Sequence, residues 1–238
     1  LTASERLRGT IALVRGNLVA TIRAVWNHPR FAKLYPEFLF ATYAVTAASA
    51  PAMRMAAQRA ADLPLHDPLA GWLSQYLLEH AEEERGHEQW ILDDLTSLGI
   101  PRDHVLARLP YPSAAALVGL QYYWMLHVHP IAYLGYIAVL EQPTDLDFLH
   151  EVSQRTGIPL SSMSAHVHHA TLDPGHVAEF DRTLDALVMT EREREIIAIS
   201  ALTTVAHLQD VFSELLTRFN GSDGLYKGSL FERPSELV

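Results

Sequence analysis

The stretch His166-Val-His-His-Ala-Thr-Leu-Asp-Pro-Gly-His176 holds His169, Asp173 and His176 in the spacing H-x3-D-x2-H. On a continuous helix, steps of four and then three residues return to one face, so two imidazoles and a carboxylate would converge. That donor set suits a borderline divalent metal such as iron, manganese or zinc. A second reading stands beside it. Asp173-Pro174 has the form of an N-cap followed by proline at the first helical position, which predicts a helix restarting there. Asp173 would then be a cap and the histidines surface or core residues.

Two other stretches bring the same chemistry. A helix predicted from Pro68 to Leu98 carries Leu73, Leu77, His80, Glu84, His87 and Ile91 down one stripe. The charge-rich run 82–88 would ordinarily be a solvated face. Glu84 and His87, an E-x-x-H pair, instead fall on the apolar stripe, where a buried charge needs a partner. Gly86 in mid-helix costs about 1 kcal/mol relative to alanine and reads as close approach of another backbone. Glu141 closes the uncharged run 130–140. It is either a helix-end residue at the surface or a third source of carboxylate for the interior. Pooled, the three stretches offer three carboxylates and three imidazoles. One zinc ion needs three or four protein ligands. The larger set suits two ions, as in bundles that hold two irons or manganese ions with Glu and E-x-x-H pairs on facing helices. Three carboxylates against two divalent cations leave room for an anionic co-ligand.

The elements that must position these residues are helical. At 238 residues the chain can bury a sizeable core as one domain, at most two. A net charge of −10 with no basic stripe argues against nucleic acid. The absence of cysteine removes disulfides and thiolate chemistry, while 13 clustered histidines point to metal. The apolar runs, Tyr43 to Met53 among them, fall short of the roughly 20 residues a membrane span requires. No basic and apolar leader is visible, so a cytoplasmic protein is expected. Helices are predicted from Ser4, as N-cap, to Asn27; from Pro36 to Ala61, kinked at Pro51; from Pro68 to Leu98, ended by Gly99; and from Ser113 to Glu141, bent at Pro130. Further helices cover residues 145–156, 159–171 and 174–189. The last starts in a capping box of Thr190 and Glu193. Its buried stripe is expected to run through Ile196, Ile199, Thr203, His207, Val211 and Leu215. The second helix is apolar around most of its circumference, fit for the core or a homodimer contact. The fold class is all-α, about seven or eight helices in one domain over residues 1–219, with a loosely held tail at 220–238.

The runs Glu83 to Asp94, Pro130 to Glu141 and His169 to His176 together resemble the heme-oxygenase-like diiron oxidases, the iron-containing redox enzymes related to thiaminase-like and pyrroloquinoline-quinone-synthase-like proteins. The resemblance covers residues 28–215 in outline. It implies a seven-helix heme-oxygenase-like bundle with a non-heme diiron centre that activates O2. Two Fe ions, or Mn in their place, would be held by Glu84, His87, Glu141, His169, Asp173 and His176, with no heme or nucleotide. Some members use E-x6-H on the first ligand helix, and His80 stands where that Glu would be. His80, if it points inward, is expected either behind the ligands as a hydrogen-bonding partner or among them as an extra ligand, and His166, one turn before His169, behind them. Leu134, Ile137, Ala138, Trp90 and Ile91 would line an apolar pocket for an amino-acid-derived or lipid-like small molecule. An external electron donor would complete an oxidase or oxygenase cycle. His127, His129 and His168 are expected to be structural or at the surface, and Tyr122-Tyr123-Trp124 to pack in the core. The rivals are a metal-free oxidase resembling pyrroloquinoline-quinone synthase and a non-catalytic iron or small-molecule carrier. A thiaminase-type hydrolase would need a cysteine that the chain lacks.

Overall fold

The computed structural model describes residues 1–64, 67–141 and 145–221, apart from the side chains of residues 172–174. Every regular element among them is helical: α1 (Ala3–Val14), α2 (Gly16–Trp26), α3 (Phe31–Ala61), α4 (Ala70–Glu83), α5 (His87–Ser97), α6 (Arg102–Ala107), α7 (Pro112–His127), α8 (Tyr133–Leu140), α9 (Leu146–Thr156), α10 (Ser164–Ala186) and α11 (Glu191–Gly221), with short 3-10 turns at Pro130–Ala132 and Leu160–Ser162.

The all-α class holds, and the predicted long helices are divided more often than expected. The first breaks at Arg15-Gly16, where glycine weakens a helix interior. Its N-cap is Thr2, in a capping box with Glu5, and not Ser4. Ser4 instead donates its N–H and hydroxyl to Asp185 of α10, at 2.7 and 2.9 Å. The third predicted helix ends at Glu84 and restarts at His87, because Gly86 adopts a left-handed φ of 95°. Close backbone approach does not explain that glycine, since a Cβ there would meet nothing within 4 Å. The approach occurs at Gly135, where a Cβ would collide with Ile197 O and lie 2.7 Å from Ala201 N. At Pro130 the chain breaks into a 3-10 turn, where only a bend was expected; His129 Nδ1 accepts the Ile131 N–H at 3.2 Å. In contrast, α10 runs unbroken through Asp173-Pro174, so no helix restarts there and Asp173 is not an N-cap.

Buried on most of its length, α3 is the axis of the core, packed by α4, α5, α7 and α11. It starts one turn earlier than expected, at Phe31. The capping box of α11 forms as predicted, with Thr190 N donating to Glu193 at 2.6 Å. Ile196, Val211 and Leu215 of the expected stripe are buried, but over the middle turns of α11 the buried face is rotated: Ile197, Ser200, Ala201, Thr204 and Val205 are inside, and Ile199 is 45% exposed. His207 is half-exposed beside Asp210 and is not a core histidine. The rotation follows from packing, since α11 is pressed against α8 and α7 and against α1 and α2. By length and composition α11 alone among the described helices could cross a membrane, but it serves here as a core element. Tyr122 and Trp124 are partly buried and pack against the core as expected, while Tyr123, 56% exposed, does not. Asn220 and Gly221 belong to α11; residues 222–238 of the expected tail lie outside the described residues.

Candidate metal centre

Interruptions in the helices deliver most of the polar residues to the interior. His80 lies in the last turn of α4, Glu84 is that helix's C-cap, His87 opens α5, and Glu141 is the C-cap of α8. The fourth contributor, α10, has no side-chain cap of its own at Met163. Asp94 of α5 supplies one. Its carboxylate accepts from Ser164 N at 2.8 Å, Ser164 Oγ at 2.6 Å and Ala165 N at 3.0 Å. Burial pushes the Asp94 carboxyl up, with those three hydrogen bonds pulling against it. This cap fixes α10 to α5, opposite the residues that start α5.

The side chains gather in two groups. His87 Nδ1 lies 3.1 Å from Glu84 Oε2, and the His87 ring stands perpendicular to His169 with centroids 5.1 Å apart. On the other side His80 Nε2 meets Glu141 Oε1, and the His80 and His176 rings are 5.9 Å apart. One donor atom each from His80, Glu84 and Glu141 falls within 4.8 Å of the other two. His80 is thus inside the cluster, in the place of an extra ligand and not behind the others. Its Nδ1 faces Glu83, 3.4 Å away. Asp173 follows His169 by one turn on the same helix, but its side chain lies outside the described residues.

Electrostatics tie the groups together. Burial alone would lower the His80 pKa, but Glu141 in contact and the nearby charges of Glu84 and Glu83 prevail and hold it above the usual imidazole value. Burial would raise Glu84; His87 in contact, with His169 and His80, holds it below the ordinary glutamate value instead. The two fully buried nitrogens, His80 Nε2 and His87 Nδ1, approach carboxylate oxygens without a well-directed hydrogen bond. Buried polar atoms in that state are rare, and a shared cation between nitrogen and carboxylate satisfies both. Carboxylates and imidazoles in this ratio fit iron or manganese.

A cavity of about 460 Å³ opens onto the cluster. Glu84, Glu141, His166 and His169 lie on its wall with apolar residues that include Trp26, Phe38, Ile91, Ile137 and Phe212. Ile91 and Ile137 take the predicted position. Leu134 and Ala138 are buried but do not reach the wall, because the face of α8 that carries them turns into the packing. Trp90 stacks between His87 and His168, at 4.1 and 4.3 Å, and is likewise absent from the wall. A second group, Asp67, His129 and Glu193, is also close-set. Capping accounts for two of its members: His129 Nδ1 accepts from Ile131 N and Glu193 from Thr190 N.

Residues missed by sequence reasoning are Glu83, Asp94 and Tyr35. Only Asp94 left a signal, in the run Leu92-Asp-Asp-Leu95, where two acids sit between leucines spaced one helical turn apart.

With the geometry in place, residues 37–209 match the family model described as iron-containing redox enzyme. The chain belongs to this family. Similar solved structures include a domain of unknown function with a heme oxygenase-like fold from Shewanella denitrificans, 21% identical, covering 91% of this chain and 93% of that one, with a TM-score of 0.77. A TenA homolog from Pseudomonas syringae pv. tomato is 9% identical over 90% and 92% of the two chains, TM-score 0.64. A TenA homologue from P. horikoshii is 13% identical over 90% and 98%, TM-score 0.58. At such identities these three establish the heme-oxygenase-like fold. No functionally curated protein matches the chain.

Proposed function

We propose that this member of the iron-containing redox enzyme family is an O2-dependent oxidoreductase with two iron sites, acting on a small apolar organic substrate. The observation that carries the reading is the inward cluster at the end of an apolar cavity, with two buried imidazole nitrogens turned to carboxylates. Glu84, His87 and His169 would hold one ion; His80, Glu141 and His176 the other, with Asp173 placed by its spacing between His169 and His176. The chemistry that bound ferrous ions supply is reduction of O2 and oxidation or cleavage of an organic molecule.

The chain's own residues do the rest. Glu83, 3.4 Å from Nδ1 of His80, would favour the tautomer that carries its proton there and leaves Nε2 as the inward lone pair, a carboxylate–histidine pairing that raises donor strength. Trp90 sandwiched between two imidazoles fixes the plane of His87. Ile91, Ile137, Phe38 and Phe212 exclude water from the reacting groups and strengthen electrostatics there. An external donor would return electrons between turnovers where the reaction consumes them.

Anaerobic titration with ferrous iron should reach about two ions per chain. Glu141→Ala should lose at least one of them with helical circular dichroism unchanged. A chain that takes up no iron, or a Glu141→Ala variant that takes up as much as the wild type, would overturn the assignment.

A further inference from the structure

Two of the hydroxyls on the cavity wall are engaged within their own helix. Thr42 Oγ1 donates to the carbonyls of Phe38 and Leu39, at 3.2 and 2.9 Å, and Ser49 Oγ to Val45 O at 3.4 Å, so those protons are spent within α3. Arg15 is at the solvent-exposed rim. The Thr46 hydroxyl rotates to donate or accept and so selects neither.

His166 differs. Its ring sits edge-on to Trp26 at 5.3 Å and stacked on Phe38 at 5.6 Å. Its Nδ1 is 3.2 Å from the hydroxyl of Tyr35, a residue with no solvent exposure. Burial pushes the Tyr35 pKa far up, so the phenol keeps its proton. Among the described residues that proton has one acceptor, His166 Nδ1. An imidazole that accepts at Nδ1 and is neutral carries its own proton on Nε2. Burial keeps it neutral, lowering its pKa to about 4. Among the described residues Nε2 has no protein partner, and the part of the ring left accessible lies on the cavity wall. The result is an oriented N–H donor in an aromatic wall, beside the carboxylate–imidazole cluster.

We propose that His166, held by Tyr35, orients the substrate: the cavity takes an apolar molecule bearing a hydrogen-bond acceptor, a carbonyl or carboxylate, and His166 Nε2–H fixes that acceptor. The proposal rests on the cavity being the substrate site. It does not depend on how many ions the cluster holds. His166 is a positioning residue whose work is specificity, since a buried donor left without an acceptor penalises any ligand lacking one.

The test measures binding of octan-2-one, octanoate and octane to the full-length chain by tryptophan fluorescence, with Trp26 on the wall as reporter. It is run on iron-loaded and on chelator-treated protein. The expected result is that one or both acceptor-bearing probes bind at least tenfold tighter than octane. His166→Phe should weaken them about tenfold and leave octane unchanged, His166→Gln should restore part of the loss through its own N–H, and Tyr35→Phe should fall between. Which of the two binds tighter in chelator-treated protein decides between carbonyl and carboxylate. Equal affinity for all three probes, failure of all three to bind, or a parallel loss of octane binding in His166→Phe would overturn the proposal. So would lower iron stoichiometry in His166→Phe, which would make His166 a ligand. Discrimination that survives in the chelator-treated protein upholds this inference even if the iron reading fails.

Discussion

The imidazole of His80 has a carboxylate on each side, and the difference between them sets its role. Glu141 is largely buried, 13% exposed, and faces Nε2; Glu83 is 49% exposed and faces Nδ1. Water weakens the outer contact, which is enough to select a tautomer and too little to hold a charge. Glu83→Gln should therefore lower iron affinity about tenfold, the lower end of what outer partners of ligating histidines contribute. Isothermal titration under anaerobic conditions would show it, with stoichiometry preserved. A loss of stoichiometry would make Glu83 a ligand itself. Apolar periodicity puts His80 on the stripe with Glu84 and His87, so its inward direction was legible in the sequence. Its partner was not, because Glu83 lies off that stripe and reads as one more solvated acid. Whether His80 sat in the cluster or behind it depended on Glu141 reaching it from a different helix, and spacing along one element carries no such information.

Helix breaks, more than helices, place the chemistry. The E-x-x-H pair works across the α4–α5 junction because Gly86 tolerates a positive φ there. Glu141 works because α8 stops on it. Periodicity revealed the helical segments and hid the breaks, since Gly86 and Pro130 each fit a continuous pattern equally well. The opposite error fell at Asp173-Pro174, where strong local capping chemistry gave way to a helix fixed at its far end by Asp94. The depth at which α8 seats is set at Gly135, packed onto the α11 backbone at Ile197 and Ala201. Gly135→Ala adds a methyl where backbone atoms stand, so helices must separate, at a cost of about 1–3 kcal/mol typical of overpacking. Because Glu141 rides on the same short helix, the variant should also bind iron more weakly. Chemical denaturation and iron titration on one preparation would test both. A stable variant with weakened iron binding would still link the seat of α8 to the site, and wild-type values for both would break that link.

On the scale of the molecule, one polar cluster has no part in the proposed chemistry. Glu37, with no solvent exposure, accepts from Arg108 Nη1 at 2.7 Å and from Tyr111 Oη at 2.8 Å, and the Arg108 guanidinium lies 4.1 Å over the Phe40 ring. The cluster ties the segment between α6 and α7 to the central helix, far apart in sequence, and none of its ionic members lines the cavity. Nothing in the local pattern singled out Glu37, which sits in an apolar helix with its partners some seventy residues on. Removing the acid alone takes the carboxylate away from a buried guanidinium and a buried hydroxyl, so Glu37→Ala should cost about 3–5 kcal/mol. That is a large share of the roughly 5–15 kcal/mol by which such domains are stable. Replacing both ions, as Glu37→Leu with Arg108→Leu, removes the buried charges together and should recover much of the loss. Urea denaturation of the two single variants and the double variant gives the coupling directly. If the double variant loses as much as the sum of its parts, the pair is not acting as a unit, and the packing of α3 must hold that segment by its apolar contacts alone.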